Sequence, residues 1–181
     1  MLAPVETRKF YQTEEYAQIL GDLVVKIRER LDSGAGEKLL KKYRVLEHKH
    51  QGQYQTIVIG ALMMRAGANI KTHDLQHLRD LVPEVPCQYR FALPIMDHGF
   101  RDPGKAQFLA ALDNYQPGTP RDFHEPSCFH CGKMQADHGI KLKKCGHCQA
   151  AWYCGIDCQR AHRKIHKVSC KTSREKVLAN V

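Results

Sequence analysis

Seven of the eight cysteines lie between Cys128 and Cys170, and they fall in pairs. Cys128/Cys131 and Cys145/Cys148 are C-x2-C knuckles, Cys154/Cys158 is a C-x3-C pair, and His166/Cys170 closes the series. Thiolate and imidazole are soft donors, and four such pairs make the eight ligands that two closed tetrahedral zinc sites require. With all four positions of an ion filled by protein, no site is left for water activation. Zinc held this way builds a fold, and its binding free energy becomes folding free energy.

Spacing limits how the pairs combine. A C-x2-C turn lets both sulfurs reach one ion. Cys154 and Cys158 are four apart, which places them on one helix face, and the same helix continues through Ile165 to His166. Cys158 and His166 then stand about 12 Å apart along the axis at 1.5 Å per residue. Ligands of one tetrahedral zinc lie only ~3–4 Å from each other. Cys154/Cys158 and His166/Cys170 are therefore expected to serve different ions. The two knuckles can join them in an interleaved or a nested order, and spacing alone allows both.

The pattern C-x2-C-x13-C-x2-C-x4-Tyr-C-x3-C-Gln-x6-His-Lys-x2-C resembles the MYND zinc finger, with Tyr153, Gln159 and Lys167 among the matching positions. The resemblance covers residues 128–170, about a quarter of the chain. It implies interleaved wiring: Cys128, Cys131, Cys154 and Cys158 on one zinc, and Cys145, Cys148, His166 and Cys170 on the other. It also implies protein–protein recruitment, commonly of short extended or proline-containing peptides. Two departures stand out. The thirteen-residue gap between the knuckles is long for the family and suggests an extended loop around Gln135–Gly139. Where peptide-binding members have a tryptophan four residues after the glutamine, this chain has Arg163. The expected partner surface is thus Gln159 and Arg163, with Trp152, the only tryptophan, as an exposed edge-strand contact or as core filling between the zincs.

The elements that must carry this finger are helical. From Glu14 to Leu31 apolar residues recur at Tyr16, Ile19, Leu20, Leu23, Val24, Ile27 and Leu31, one amphipathic stripe. Asp32–Gly36 ends that helix. Further helices are expected over Leu39–Glu47, Tyr54–Arg65 and Thr72–Leu81, the last stopped by Pro83 and Pro86. Asp102-Pro103 offers a cap followed by proline at the first helical position. Strand signals are nearly absent. Asn114–Asp122 is polar and holds two prolines and a glycine, a turn or linker signal. The expected organisation is a mainly α protein: a helical domain over 1–114 without a family motif, a linker over 115–126, the finger over 127–171 and a basic tail over 172–181.

The net charge of +9 is concentrated in residues 121–181, where 12 Lys/Arg face 5 Asp/Glu. Seven thiolates against two divalent ions contribute minus three, so the loaded region stands near +4 and much of the formal basicity offsets the thiolates. A basic finger face remains, with Lys141, Lys143, Lys144, Arg160, Arg163, Lys164 and Lys167.

Other donors have plainer readings. His130 and His147 sit inside the knuckles and should point outward. His162 lies one turn from Cys158 and one from His166, where a ligand role would be redundant. His48 and His50 are expected to face solvent, with no ligand partners in sequence reach, and Cys87 is expected to be a reduced, partly buried thiol. No apolar run reaches the ~18 residues of a membrane span, and the N-terminus lacks the charged and apolar regions of a secretory signal.

The function expected from these residues is that of an intracellular adaptor, nuclear or cytoplasmic. It would bind two structural zinc ions and recruit partner proteins through the finger, with transcriptional regulation as one setting. A nucleic-acid-associated zinc protein using the basic face is the first alternative. An accessory fragment of a MYND-containing methyltransferase is the second. The chain itself is expected to be no enzyme, because no SET-like cofactor motif, nucleotide-binding glycine loop or catalytic triad pattern is found in it.

Overall fold

In the computed structural model, residues 13–49, 52–85, 102–139 and 141–170 are described. Cys87, His50 and the basic tail of 172–181 lie outside them. The chain forms two compact units, Met1–Asp74 with Gln116–Pro120, and Leu75–Tyr115 with Arg121–Val181. The stretch expected as a linker is thus divided between the two.

In the first unit, α1 (Glu14–Arg30) starts at Thr13, whose hydroxyl oxygen accepts the Tyr16 N–H at 3.2 Å. Glu14 and Glu15 occupy its first turn, Arg28 and Arg30 its last, the order that complements the helix dipole. The stop expected at Asp32–Gly36 takes the form of a kink. Gly34 is left-handed at φ 104°, and the Gly36 N–H reaches back to the Leu31 carbonyl across a wide turn. Helix α2 (Gly36–Arg44) follows and packs on α3 (Gly52–Ala66). The core of this unit comes largely from α3, with Thr56, Ile57, Ala61, Met63 and Met64 buried. Gly36 allows the close approach, since a Cβ there would stand 2.5 Å from the Met63 methyl. Asp74, buried, is paired with Arg44 at 2.8 Å. The expected core stripe of α1 is different in the structure: no residue of this helix is buried, and Ile19, Leu20, Leu23 and Ile27 are 43–51% exposed.

The next helix, α4 (Thr72–Glu84), runs through Pro83 instead of stopping before it. Pro83 lies in the last turn, where the chain needs only one more residue of helical geometry. Within the second unit Leu78, Leu81, Val82 and Val85 are buried. Helix α5 (Asp102–Asp113) buries Phe108, whose ring stacks on Phe123 with centroids 6.3 Å apart. The Gln107 side-chain amide donates to the carbonyls of Phe123 and Glu125 at 3.1 and 3.3 Å. Part of the stretch with linker composition is therefore packed interior.

The long gap between the knuckles is no open loop. One helical turn, α6 (Gln135–His138), is capped by the Asp137 carboxylate, which accepts the Met134 N–H at 2.9 Å, and it ends on left-handed Gly139. Asp137 also pairs with Arg121 through both guanidinium nitrogens. Two short antiparallel strands follow, β1 (Lys143–Lys144) and β2 (Trp152–Tyr153), registered Lys143 to Tyr153 and Lys144 to Trp152. Helix α7 (Ile156–Ser169) completes the finger. No described helix is long and apolar enough to cross a membrane.

Candidate metal centre

The two knuckles are built alike. The Gly132 N–H donates to the Cys128 carbonyl at 2.8 Å, and the Gln149 N–H to the Cys145 carbonyl at 3.0 Å. Each turn ends on a left-handed residue, Gly132 at φ 73° and Gln149 at φ 55°. Glycine adopts that backbone freely, whereas glutamine does so against its Cβ. The strand pair then fixes the second knuckle, because the Cys145 N–H donates to the Ala151 carbonyl at 2.8 Å. The first knuckle joins the same pair through the Phe129 N–H, which donates to the Trp152 carbonyl at 2.9 Å.

Cys154 leaves β2 two residues before α7 begins, so it is not a helix residue as the spacing suggested. Cys158 and His166 both stand on α7, two turns apart, and Cys170 caps its C-terminus. The separation inferred from helical rise therefore rests on Cys158 and His166 alone, and these two residues fall in different clusters.

Those clusters are Cys128, Cys131, Cys154 and Cys158, and Cys145, Cys148, His166 and Cys170. Within each, the four donor atoms lie within 4.8 Å of one another. The Sγ atoms of Cys131 and Cys154 are 3.7 Å apart, those of Cys154 and Cys158 3.4 Å, and those of Cys145 and Cys170 3.9 Å. His166 Nε2 is 3.5 Å from Cys148 Sγ. A tetrahedron with zinc–sulfur bonds near 2.3 Å has edges of about 3.8 Å, and one sulfur–nitrogen edge is slightly shorter. The separations are far above a disulfide bond of ~2.05 Å, and the seven cysteines are free thiols. Both clusters suit a zinc ion.

The thiol electrostatics point the same way. At Cys145, burial raises the pKa, but the N–H groups of Cys148 and His147 and the His166 ring outweigh it and hold the thiol at about 6. At Cys128, burial is likewise outweighed by the N–H groups of Cys131, Cys154 and His130. Burial pushes Cys131 up to about 11, and it raises Cys158 and Cys170 as well, with neighbouring sulfurs adding to it. Without metal these three thiols keep their protons at neutral pH. A dication at the centre of each cluster supplies the charge that lets them ionise.

An aromatic nucleus lies beside the second cluster. Tyr153 is buried, and its hydroxyl lies 3.1 Å from His162 Nδ1. His162 stacks on His166 of the second cluster with ring centroids 5.8 Å apart, and Phe129 meets Tyr153 and His162 at 6.4 and 6.2 Å. His162 belongs to this packing and to neither donor cluster. Phe129 and Tyr153, which donor spacing does not single out, are the residues that fill the finger. Their aromatic character inside and beside the ligand pairs was the available signal. His130 and His147 are exposed, as expected, and so is His48.

Trp152 faces away from Tyr153 and is partly exposed, with Lys144 Nζ 4.8 Å from its ring centroid. It lines a hollow of about 80 Å³ with Pro103, Gln107, Phe123, Pro126 and Phe129. Gln159 and Arg163 do not line that hollow. They stand one turn apart on α7, Gln159 half-buried and Arg163 exposed.

Comparison with known proteins places this geometry. Residues 128–170 match the family model of the MYND finger. Over 47 residues the chain is 43% identical to histone-lysine N-methyltransferase ASHR1 of Arabidopsis thaliana, covering 26% of this chain and 9% of that protein. Over 57 residues it is 45% identical to SET domain-containing protein 14 of Caenorhabditis elegans, 32% of this chain and 12% of that protein. Over 86 residues it is 33% identical to N-lysine methyltransferase SMYD2 of Bos taurus, 39% of this chain and 18% of that protein. The chain thus spans less than a fifth of the length of these relatives. No solved structure matches it. MYND fingers are zinc-binding protein-interaction domains, and residues 128–170 are a MYND finger.

Proposed function

We propose that this protein is an intracellular adaptor whose finger holds two structural zinc ions and presents a surface to short extended or proline-containing peptides of partner proteins. In this reading Cys128, Cys131, Cys154 and Cys158 hold one zinc, and Cys145, Cys148, His166 and Cys170 hold the other. The observation that carries the proposal is the completeness of each donor set: four protein donors surround each centre at tetrahedral spacing, so no position is left for a substrate. Zinc supplies the rigidity, and recognition belongs to side chains outside the clusters. Gln159 and Arg163 on α7 form one contact surface, and partly exposed Trp152 another.

A second reading draws on the relatives, whose names describe lysine methyltransferases and SET proteins. The finger would then be an accessory element of methyltransferase chemistry carried out elsewhere. A nucleic-acid partner is supported by the exposed Arg160, Arg163, Lys164 and Lys167 of α7.

The test is affinity purification with the wild-type chain, Cys145→Ser and the surface variant Gln159→Ala/Arg163→Ala. Loss of the same partners from both variants is the expected result. An unchanged partner set with Cys145→Ser, in a chain whose finger has lost its zinc, would sink the adaptor reading. Partners that return with a SET-type enzyme would favour the second. Binding to DNA or RNA that falls steeply with salt would favour the third.

A further inference from the structure

Helix α1 is amphipathic, yet none of its residues is buried and only Tyr16, Val24 and Arg28 are half-buried. At 100° per residue, Tyr16, Ile19, Leu20, Leu23 and Ile27 fall within an arc of about 100°, the width of a core-facing stripe. Yet Ile19 is 44% exposed, Leu20 43%, Leu23 48% and Ile27 51%. Single exposed apolar side chains are ordinary, whereas a contiguous ridge of them marks an interaction surface.

The same helix is polar end to end. Glu14 and Glu15 stand in its first turn, Arg28 and Arg30 in its last. Two copies laid side by side in parallel would put like charges together at both ends. Laid antiparallel, Glu15 of each copy meets Arg30 of the other, while Arg28 donates to the Gly118 carbonyl of its own chain at 2.9 Å. A twofold axis between Gly21 and Asp22 then stacks the ridge into four layers, Tyr16 on Ile27 and Leu20 on Leu23, each occurring twice. Both the apolar ridge and the charge pattern are therefore self-complementary, as an isologous contact requires.

We propose that α1 is a self-association surface, and that two copies of this chain pair through antiparallel α1 helices. The occupant is a second copy because one helix carries both halves of the charge match. A 17-residue helix is only about 25 Å long. The contact lies at the small end of specific interfaces and forms a weak, concentration-dependent dimer. Dimerisation would give the adaptor two fingers, so that a partner with two binding segments gains affinity through effective concentration.

The experiment is sedimentation equilibrium of the zinc-loaded full chain over a concentration series at low salt. Wild type is expected to show a monomer–dimer equilibrium in the micromolar range. Leu23→Asp should weaken it by about tenfold or more, with circular dichroism confirming unchanged helix content. Glu15→Lys alone and Arg30→Glu alone should each weaken it, because every contact then sets like charges together. An equimolar mixture of these two should recover wild-type association, because both ends of the mixed pair are again opposite in sign. A chain that stays monomeric at all concentrations overturns the proposal, as does a dimer indifferent to Leu23→Asp. A dimer that Glu15→Lys leaves unaffected overturns the antiparallel arrangement, because parallel helices would set residue 15 against itself.

Discussion

Arg121 grips Asp137 through both guanidinium nitrogens in the interior of the second unit, with side chains 8% and 3% exposed. Arg121 comes from a stretch with linker composition, and Asp137 from the long gap between the knuckles. The same carboxylate accepts the Met134 N–H. One ion pair thus ties the segment before the finger to the turn that fills its gap.

Removing one partner of a buried pair leaves an uncompensated charge, at a cost of about 3–5 kcal/mol. Asp137→Asn and Arg121→Met are each expected to destabilise the zinc-loaded protein on that scale in urea denaturation. Arg121→Met with Asp137→Leu should recover much of the loss. A single variant as stable as wild type would show the pair to be dispensable.

Metal loading is expected to reach two zinc ions per chain, measured by atomic emission after exhaustive dialysis. Chelation should abolish the near-ultraviolet signal of Trp152 and Tyr153. The pH dependence follows from the thiols: Cys131, at about 11, and the raised Cys158 and Cys170 hold protons at pH 7 that zinc must displace. Loading the metal-free chain in weak buffer therefore releases protons, and zinc affinity falls as pH falls. Affinity independent of pH between 6 and 8 would contradict this.

The left-handed ends of the knuckles make opposite predictions. At Gly132 a Cβ would collide with the Ala106 carbonyl as well as strain φ, so Gly132→Ala should destabilise the finger by more than 1 kcal/mol. At Gln149 the strain is already present. Gln149→Gly removes a penalty of ~1–2 kcal/mol but adds freedom to the unfolded chain. A net gain of up to about 1 kcal/mol is expected, read as a rise in melting temperature at saturating zinc. A melting temperature lowered by Gln149→Gly would mean that the glutamine's bond to the Gly146 carbonyl, at 3.1 Å, outweighs the strain.

Tyr153→Phe keeps the aromatic packing and removes the bond to His162. The loss should be about 1 kcal/mol, the usual net worth of a hydrogen bond, with both zinc ions retained. If one zinc were lost, His162 would be acting on the metal site through its stacking neighbour His166.

The donors were legible in the sequence because ligand chemistry restricts both residue type and spacing. Eight soft donors in four close pairs leave few arrangements, and helical rise alone separates Cys158 from His166. Local signals served well where they were strong: the glycine-rich break at Asp32–Gly36 and the helix start at Asp102-Pro103. Composition failed where polar residues were satisfied by distant partners. Arg121, Phe123 and Asp137 sit in turn-rich stretches, but their burial depends on one another and on Gln107 and Phe108.

Periodicity failed differently at α1. The stripe of Ile19, Leu20, Leu23 and Ile27 established that one face avoids water, but a period carries no information about what covers that face. The sequence by itself determined the four pairs of soft donors and the helical character of the chain, since both follow from residues close together along it. Spacing left the order of the knuckles open and the family resemblance implied the interleaved one, which is the grouping the structure has; only the tertiary structure decided which aromatic rings fill the finger and which apolar face remains open. Those outcomes depend on contacts between residues far apart in the chain, and local spacing does not encode them.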